Sequence, residues 1–342
     1  MKLVQELINE DRLSEAERLL NGMEGDEAIL ESFRGILAMK RGRHVEAIGN
    51  FERALELKPT QTAVWLYLGQ AFFQAGKYKK ALRALVRGEI AGRRIPSYYQ
   101  LKARAEEKTG RIEEAYETLE RARGLFPDRH ELTREQALLL VKEGLYVAAL
   151  EKGQEYIAKR SDDRNGYLIL GEAMRNAGRP YEAAVFLEAA AVRFQQDPEV
   201  LARLAFAYSA DGKTLVAARL FSRATRLGGD YAFAAAENFR LAGRVREALE
   251  MNAMVREPRK RLSQRLAIYL GAEHFGRAAS LERALVDADA IDDTNRYRLA
   301  YANFRTGDLD HARELCLDVE DRTLKKSAAK LLEALEKERG RE

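Results

Sequence analysis

The residues that could carry out chemistry are few and scattered in this sequence of 342 residues. Four histidines lie at positions 44, 130, 274 and 311, and none stands at metal-ligand spacing from another. Because a transition-metal site needs clustered ligands, the sequence predicts no metal and no cofactor. Acidic pairs such as Glu113–Glu114 lie at predicted helix starts, where negative charge complements the helix dipole. Helix capping explains these carboxylates without acid–base catalysis.

Two further features suggest reactive chemistry at first sight. Gly212–Lys213–Thr214 resembles the end of a phosphate-binding loop, but the glycine that this motif needs five residues upstream is Ala207. Cys316 is the single cysteine, so no intramolecular disulfide can form, and its position in an apolar pattern predicts a small buried thiol. No nucleophile elbow of the Gly-x-Ser-x-Gly form is present. We therefore expect that the protein is not an enzyme.

The charge balance indicates a solvated surface of mixed sign. The sequence has 58 Lys and Arg residues and 54 Asp and Glu residues, for a net charge of +4. A nucleic-acid footprint is a continuous basic patch, which this distribution does not form. No apolar run approaches the about 18 residues of a membrane-spanning helix, and acidic residues interrupt the amphipathic stretch 1–13, unlike a signal peptide. These features predict a cytoplasmic protein.

The helices that must position any binding residue are predicted by a repeated pattern, a glycine followed five residues later by an alanine. Six pairs follow one another at intervals of 34 residues: Gly42/Ala47, Gly76/Ala81, Gly110/Ala115, Gly144/Ala149, Gly178/Ala183 and Gly212/Ala217. Echoes follow at Gly243/Ala248 and Gly307/Ala312. This period is that of a helix–turn–helix solenoid. Glycine suits the turn because it reaches the left-handed conformation without a steric clash, and alanine suits a close approach of two helices.

This pattern resembles the tetratricopeptide repeat. One period has Trp65, Leu68, Gly69, Phe72, Ala81 and Leu85 at the signature positions of the family. The preceding period matches through Gly35, Ala38, Ala47, Phe51, Ala54 and Pro59, and the following one through Tyr99, Ala103, Ala115, Leu119, Ala122 and Pro127. The resemblance implies an all-α, right-handed α-solenoid of about eight to ten tandem helix–turn–helix repeats with a C-terminal capping helix.

The expected organisation has five parts. They are a truncated N-terminal repeat or cap at 1–27, regular repeats at 28–255, a degenerate repeat at 256–292, the last repeat at 293–320 and a capping helix at 321–342. Terminal repeats of solenoids are commonly atypical, because one side of each has no neighbour to cover it.

The resemblance also implies a binding surface, a groove lined by the first helix of each repeat. The candidate residues are Ile29, Ile36, Met39, Lys40, Leu66, Gln70, Phe73, Arg104 and Lys108. The apolar members can seat an amphipathic helix while the cations attract an acidic partner; alternatively, they pack between neighbouring repeats. The asparagine-and-lysine clamp with which some family members hold a C-terminal carboxylate is absent, since Gln70 and Arg104 stand where asparagine is needed.

A second candidate patch lies on the first helix of the last repeat. It consists of Tyr297, Tyr301, Phe304 and Arg305. Aromatic side chains beside arginine are typical interface anchors, although packing in the core or on the cap accounts for them equally well.

Together these features favour a non-enzymatic protein–protein interaction scaffold or adaptor, bacterial in style, within a multiprotein assembly. One alternative is a structural solenoid that self-associates through its terminal helices. The other is a nucleic-acid-binding helical repeat, which needs a continuous basic groove. Acidic residues such as Glu107, Glu131 and Glu172 interrupt that groove.

Overall fold

A computed structural model describes residues 1–339, and the regular structure in that range is entirely helical. Contacts between Cα atoms divide the chain into two compact units, Met1–Asp163 and a second unit that starts at Arg164. In each unit, consecutive helices form antiparallel pairs that stack on the next pair. The predicted all-α repeat architecture is confirmed.

The first unit contains eleven helices among its described residues. They are α1 Lys2–Asn9, α2 Leu13–Asn21, α3 Glu27–Lys40, α4 His44–Leu57, α5 Thr62–Gln74, α6 Tyr78–Arg87, α7 Glu89–Gly92, α8 Pro96–Lys108, α9 Ile112–Leu125, α10 Glu131–Lys142 and α11 Tyr146–Lys159.

The second unit continues the same arrangement. Its helices are α12 Arg164–Asn176, α13 Pro180–Arg193, α14 Pro198–Ala210, α15 Thr214–Arg226, α16 Ala232–Leu241, α17 Val245–Ala253, α18 Pro258–Gly271, α19 Phe275–Ala279, α20 Glu282–Asp287, α21 Asp293–Thr306, α22 Leu309–Leu317 and α23 Arg322–Arg339.

A left-handed residue ends the first helix of each pair. The eight glycines of the sequence pattern have φ between 70° and 88° at this turn. Asp11 (φ 60°) and Glu273 (φ 56°) adopt the same conformation, each five residues before a fully buried alanine, Ala16 and Ala278. The turn geometry therefore extends to two pairs that lack the glycine, α1–α2 and α18–α19.

Close approach between paired helices explains the glycines in the middle of the first helices α3 and α5, Gly35 and Gly69. A Cβ atom on Gly35 would lie 2.5 Å from the ring of Phe51, and one on Gly69 would lie 2.8 Å from Leu85. Real Cβ contacts are longer than this, so the two helices would have to separate. The alanine of each pair is 0% exposed from Ala16 to Ala312, which places it at the same kind of contact on the opposite helix.

The terminal helices bury their apolar faces within their own units. In α1, Val4, Leu7 and Ile8 pack in one cluster with Leu30 and Leu37 of α3. In α23, three side chains are buried against α21 and α22: Ala328, Leu331 and Leu335. Residues 340–342 of the predicted capping helix lie outside the described residues.

The stretch 256–292, predicted as a degenerate repeat, forms α18 followed by two short helices, α19 and α20. Ala278 of α19 and Leu285 of α20 are both fully buried in the core that they share with Leu299 of α21. This stretch therefore packs as a pair whose second helix is broken. The five-part division of the chain stays a prediction.

Candidate binding surfaces

The apolar side chains of the predicted groove are half-buried on the first helices α3 and α5. Ile36, Met39 and Phe73 pack against the core cluster that contains Phe51 and Leu68. Leu66 covers Gly88, where an added Cβ atom would lie 2.6 Å from the leucine side chain. Ile29 is also half-buried. These side chains therefore contribute to packing while part of their surface faces solvent.

The polar residues of the predicted groove are exposed on neighbouring helices. Lys40 ends α3, Gln70 lies on α5, and Arg104 and Lys108 lie on α8; α5 contacts both α3 and α8. Arg104 forms an ion pair with Glu135 at 2.7 Å. Within residues 1–339, no carboxylate lies within 4.0 Å of the Lys40 or Lys108 ammonium group. The helices that end with these two lysines, α3 and α8, both contact α5, which carries the half-buried Leu66 and Phe73.

The second predicted patch is a cluster that joins α19 to α21. The Arg305 guanidinium lies 4.1 Å from the ring centroid of Phe275 and donates a hydrogen bond to the Tyr301 hydroxyl at 3.0 Å. Phe275 and Tyr301 meet edge to face, with centroids 5.9 Å apart. Tyr297 and Phe304 are half-buried against the core around Cys316 and Leu331. The arrangement gives each of these side chains a packing role, and their role in binding stays a prediction.

Sequence reasoning missed two grooves that flank α6. The first, the aromatic groove, has a volume of about 550 Å³. Its lining comes from α4, the loop after it, α5 and α6: Glu52, Leu55, Glu56, Pro59, Trp65, Leu68, Phe72, Lys80, Arg83, Ala84 and Arg87. The second, the basic groove, has a volume of about 490 Å³ and is lined by Lys79, Leu82, Arg83, Val86, Arg87, Thr109 and Arg111. Arg83 and Arg87 line both grooves, so they lie on the ridge between them.

Two cation–ring contacts hold the aromatic groove together. The Arg87 guanidinium lies 4.7 Å from the ring centroid of Trp65, and the Lys80 ammonium lies 5.7 Å from that of Phe72. Such contacts stabilise a cation over a π face. They also keep long basic side chains close to an apolar floor instead of extended into solvent.

A third groove, of about 740 Å³, lies in the second unit between α16, α18 and the start of α21. Its wall includes Glu237, Ser263 and Arg298. Burial lowers the pKa of the Arg298 guanidinium from its ordinary value, and one of its nitrogens donates to the Asn295 side chain at 3.3 Å. This groove is lined mostly by polar residues, two of which, Arg259 and Asp289, form an ion pair.

The potentially reactive side chains Cys316 and His311 are held by packing and by a hydrogen bond, respectively. Cys316 is 3% exposed, and burial raises the pKa of its thiol to about 11. His311 Nε2 lies 2.8 Å from a Glu282 carboxylate oxygen, and this hydrogen bond raises the imidazole pKa. Among residues 1–339, no three His, Cys, Asp or Glu side chains come together in a way that could hold a metal ion. In the same range, each helix is too short or too polar to cross a bilayer.

The fold and these surfaces define a class, the α-helical repeat proteins that present grooves between stacked hairpins. Family models described as tetratricopeptide repeat match residues 38–105 and 101–164. Residues 38–164 of the chain therefore consist of tetratricopeptide repeats. Neither of the two family models describes a catalytic domain, and repeats of this type support protein–protein interaction in general.

Several solved structures are similar to this chain. A MamA fragment from Desulfovibrio magneticus has 19% identity and a TM-score of 0.44, over 47% of this chain and 93% of its own. YrrB, described as a TPR protein with an unusual peptide-binding site, has 17% identity and a TM-score of 0.43, over 55% and 93%. A tetratricopeptide repeat protein from Parabacteroides merdae has 15% identity and a TM-score of 0.46, over 81% and 99%. No curated protein matches the sequence.

Proposed function

We propose that this chain is a non-enzymatic scaffold that binds an acidic, partly apolar segment of a protein partner on the first helices of unit 1. The surface, which we call the first-helix groove, comprises the candidate residues on α3, α5 and α8. One observation supports the proposal: the exposed ammonium groups of Lys40 and Lys108 have no carboxylate within 4.0 Å among the described residues, and their helices, α3 and α8, both contact the helix that carries the half-buried Leu66 and Phe73.

Charge and apolar surface have different roles in this proposal. Lysines without an intramolecular partner attract acidic groups and speed the encounter. The solvent-facing parts of Ile36, Leu66 and Phe73 then offer area for an apolar side chain of the partner, at about 25 cal/mol per Å² removed from water. A short amphipathic helix or an extended peptide satisfies both requirements.

The packing of this surface decides which variants can test it. Glutamate at Leu66 or Phe73 would place a charge in the cores that these residues complete and would unfold the repeat, because an unpaired buried charge is very costly. The exposed pair Lys40→Glu with Lys108→Glu leaves the cores intact. Arg129→Glu with Lys159→Glu makes the same charge change at exposed positions away from the groove and is the matched control.

The experiment is affinity capture from native lysate, combined with a photoreactive amino acid in place of Gln70. We expect that the wild type and the control variant retain the same partner, that Lys40→Glu with Lys108→Glu loses it, and that the partner cross-links from position 70. Position 147 on α11, where Val147 is 75% exposed, serves as the cross-linking control. Retention of the partner by the groove variant, or cross-links from 147 but not from 70, contradicts the proposal.

The wider setting of this scaffold belongs to the same proposal. Membership in a multiprotein assembly, a cytoplasmic location and a bacterial source all stay predictions. Self-association also stays a prediction, and the mass of the protein in solution, measured over a dilution series, distinguishes a monomeric scaffold from an assembling subunit.

A further inference from the structure

We propose that the exposed side of α6 is a second docking surface, which binds an acidic protein segment with one large apolar side chain. The carboxylates of that segment lie against Lys79, Arg83 and Arg87 in the basic groove, and its apolar side chain enters the aromatic groove. This surface is additional to the first-helix groove.

The first observation is that α6 has a lysine, Lys80, where several other second helices have a glutamate. In five other pairs, the residue before the second helix is an arginine that forms an ion pair with a glutamate in the first turn. These ion pairs are Arg12–Glu15, Arg43–Glu46, Arg111–Glu114, Arg179–Glu182 and Arg244–Glu247. At the two corresponding positions around the start of α6 the chain has Lys77 and Lys80. The partner carboxylate is thus replaced by a second cation.

The second observation is that the cations of α6 have no acidic partner in the described part of the chain. Among residues 1–339, no carboxylate lies within 4.0 Å of Lys79, Lys80, Arg83 or Arg87. Lysine in the first turn opposes the helix dipole, and like charges four residues apart, as in Lys79–Arg83 and Arg83–Arg87, repel each other. Charges that weaken the helix that carries them are the kind of local conflict expected at functional positions.

The third observation is that the basic ridge adjoins apolar surface. Trp65, Leu68 and Phe72 lie on the aromatic groove floor, and Val86, which is 54% exposed, lines the basic groove on the other side. An aromatic pocket beside arginine is the usual composition of an energetically dominant contact. A partner that combines an apolar anchor with carboxylates therefore complements both grooves at once.

The acidic residues of the aromatic groove select the class of partner. Glu52 and Glu56 of α4 form the wall opposite α6, and their carboxylates repel a continuous phosphate backbone. A peptide avoids this repulsion because its charges can be confined to the α6 side while an uncharged side chain fills the groove. The charge arrangement thus favours an acidic peptide over a nucleic acid.

The α6 surface and the first-helix groove can be tested separately, because they use different sides of α5. With 100° of rotation per residue, Trp65, Leu68 and Phe72 share one side of the helix, and Leu66, Gln70 and Phe73 share another. Variants at α6 therefore leave Lys40, Gln70 and Lys108 unchanged.

The test measures fluorescence anisotropy of labelled probes with the full chain. The first probe is a synthetic peptide of alternating glutamate and glycine with one central leucine. The second has glutamine in place of each glutamate, the third has serine in place of leucine, and the fourth is a single-stranded RNA. We expect binding of the first probe, weakened by added salt, and at least about tenfold weaker binding of the other two peptides. Tighter binding of the RNA, or equal binding of the three peptides, overturns the proposal.

Variants then locate the binding site. Lys79→Glu with Arg83→Glu removes two cations of the basic groove and leaves the Arg87–Trp65 contact in place; we expect at least about tenfold loss of affinity for the first probe. Arg219→Glu with Arg226→Glu makes the same charge change at exposed positions of α15 and should bind as the wild type does. Equal loss in both variants, or loss in Lys40→Glu with Lys108→Glu but not in the α6 variant, overturns the proposal. The latter result would leave the first-helix groove supported.

Discussion

At the scale of single residues, the neighbouring Phe51 ring and Leu85 side chain leave no room for a Cβ atom on Gly35 and Gly69. The Phe51 ring fills the space beside Gly35, and it is fully buried. Gly124 of α9 is a natural contrast, because nothing lies within 4 Å of the position where its Cβ atom would be. Replacement of glycine by alanine therefore adds a methyl group to a crowded site at Gly35 and to an open site at Gly124.

We expect Gly35→Ala to destabilise the protein and Gly124→Ala to stabilise it. In a crowded core, an added methyl group typically costs about 1–3 kcal/mol. At an open helical position, alanine is favoured over glycine by about 1 kcal/mol. Urea unfolding followed by circular dichroism measures both free energies of unfolding. A Gly35→Ala protein as stable as the wild type would mean that α3 and α4 can separate without loss.

At the scale of elements, most of the hairpins could be predicted from the sequence because glycine marks the turn and alanine marks the contact. The pair α18 and α19 was harder to recognise, since Glu273 occupies the turn and only the buried Ala278 of the motif remains. The break between α19 and α20 has no comparable signal. The turn requires a residue with positive φ, and a non-glycine residue can adopt this conformation when the packing on both sides favours it.

The ion pair between Glu282 of α20 and His311 of α22 makes the stability of this part of the fold depend on pH. Glu282, with Glu314 and Asp308 nearby, raises the pKa of His311 in the folded protein. A folded pKa above the unfolded value of about 6.5 means that the stabilisation is complete below that pH and is lost as pH rises through the folded pKa. The contribution of such a solvent-accessible pair is at most about 1 kcal/mol.

The prediction concerns the difference between wild type and Glu282→Gln in free energy of unfolding. We expect this difference to be largest near pH 6, where His311 is charged in both states, and to shrink as pH rises above the folded pKa. Urea unfolding at a series of pH values gives the difference directly. The control compares His311→Gln with the double variant His311→Gln, Glu282→Gln. A pH-dependent difference between these two proteins would assign the effect to another group.

At the scale of the whole molecule, stability in a repeat array is a sum of nearest-neighbour contacts, so loss of a terminal helix should expose the core beside it. The apolar side of α23 covers the cluster that includes Leu315 and Cys316. A buried leucine contributes about 1.5–3 kcal/mol, and α23 buries both Leu331 and Leu335.

We expect a chain that ends at residue 320 to unfold at lower urea concentration and to expose its thiol. In the intact protein Cys316 should react slowly with iodoacetamide at neutral pH, since the thiol is buried and its pKa is about 11. In the shortened chain it should react faster. Lys326→Ala with Lys330→Ala changes only the exposed side of α23 and should leave both readings unchanged. An unchanged alkylation rate after truncation would contradict a covering role for α23.

The binding surfaces were less predictable than the fold, and the reason is geometric. The first-helix groove follows from equivalent positions of successive first helices, which a fixed period identifies. The aromatic groove requires Glu56, Trp65 and Arg87 to converge from three helices, and no spacing rule relates these positions. The sequence did contain one usable signal: Lys80 stands at the position of α6 where five other second helices have a glutamate paired with the preceding arginine.

The contact between Arg87 and Trp65 gives the protein an optical reporter of its own. Trp65 is the only tryptophan in the sequence, so the indole emission of the intact protein arises from one groove. A cation held over the indole ring perturbs the electronic environment of the excited state. An occupant that draws Arg87 away, or that covers Trp65 and excludes water, therefore changes the emission of the unlabelled protein, whereas an event elsewhere on the chain that leaves this groove unaltered is spectroscopically silent.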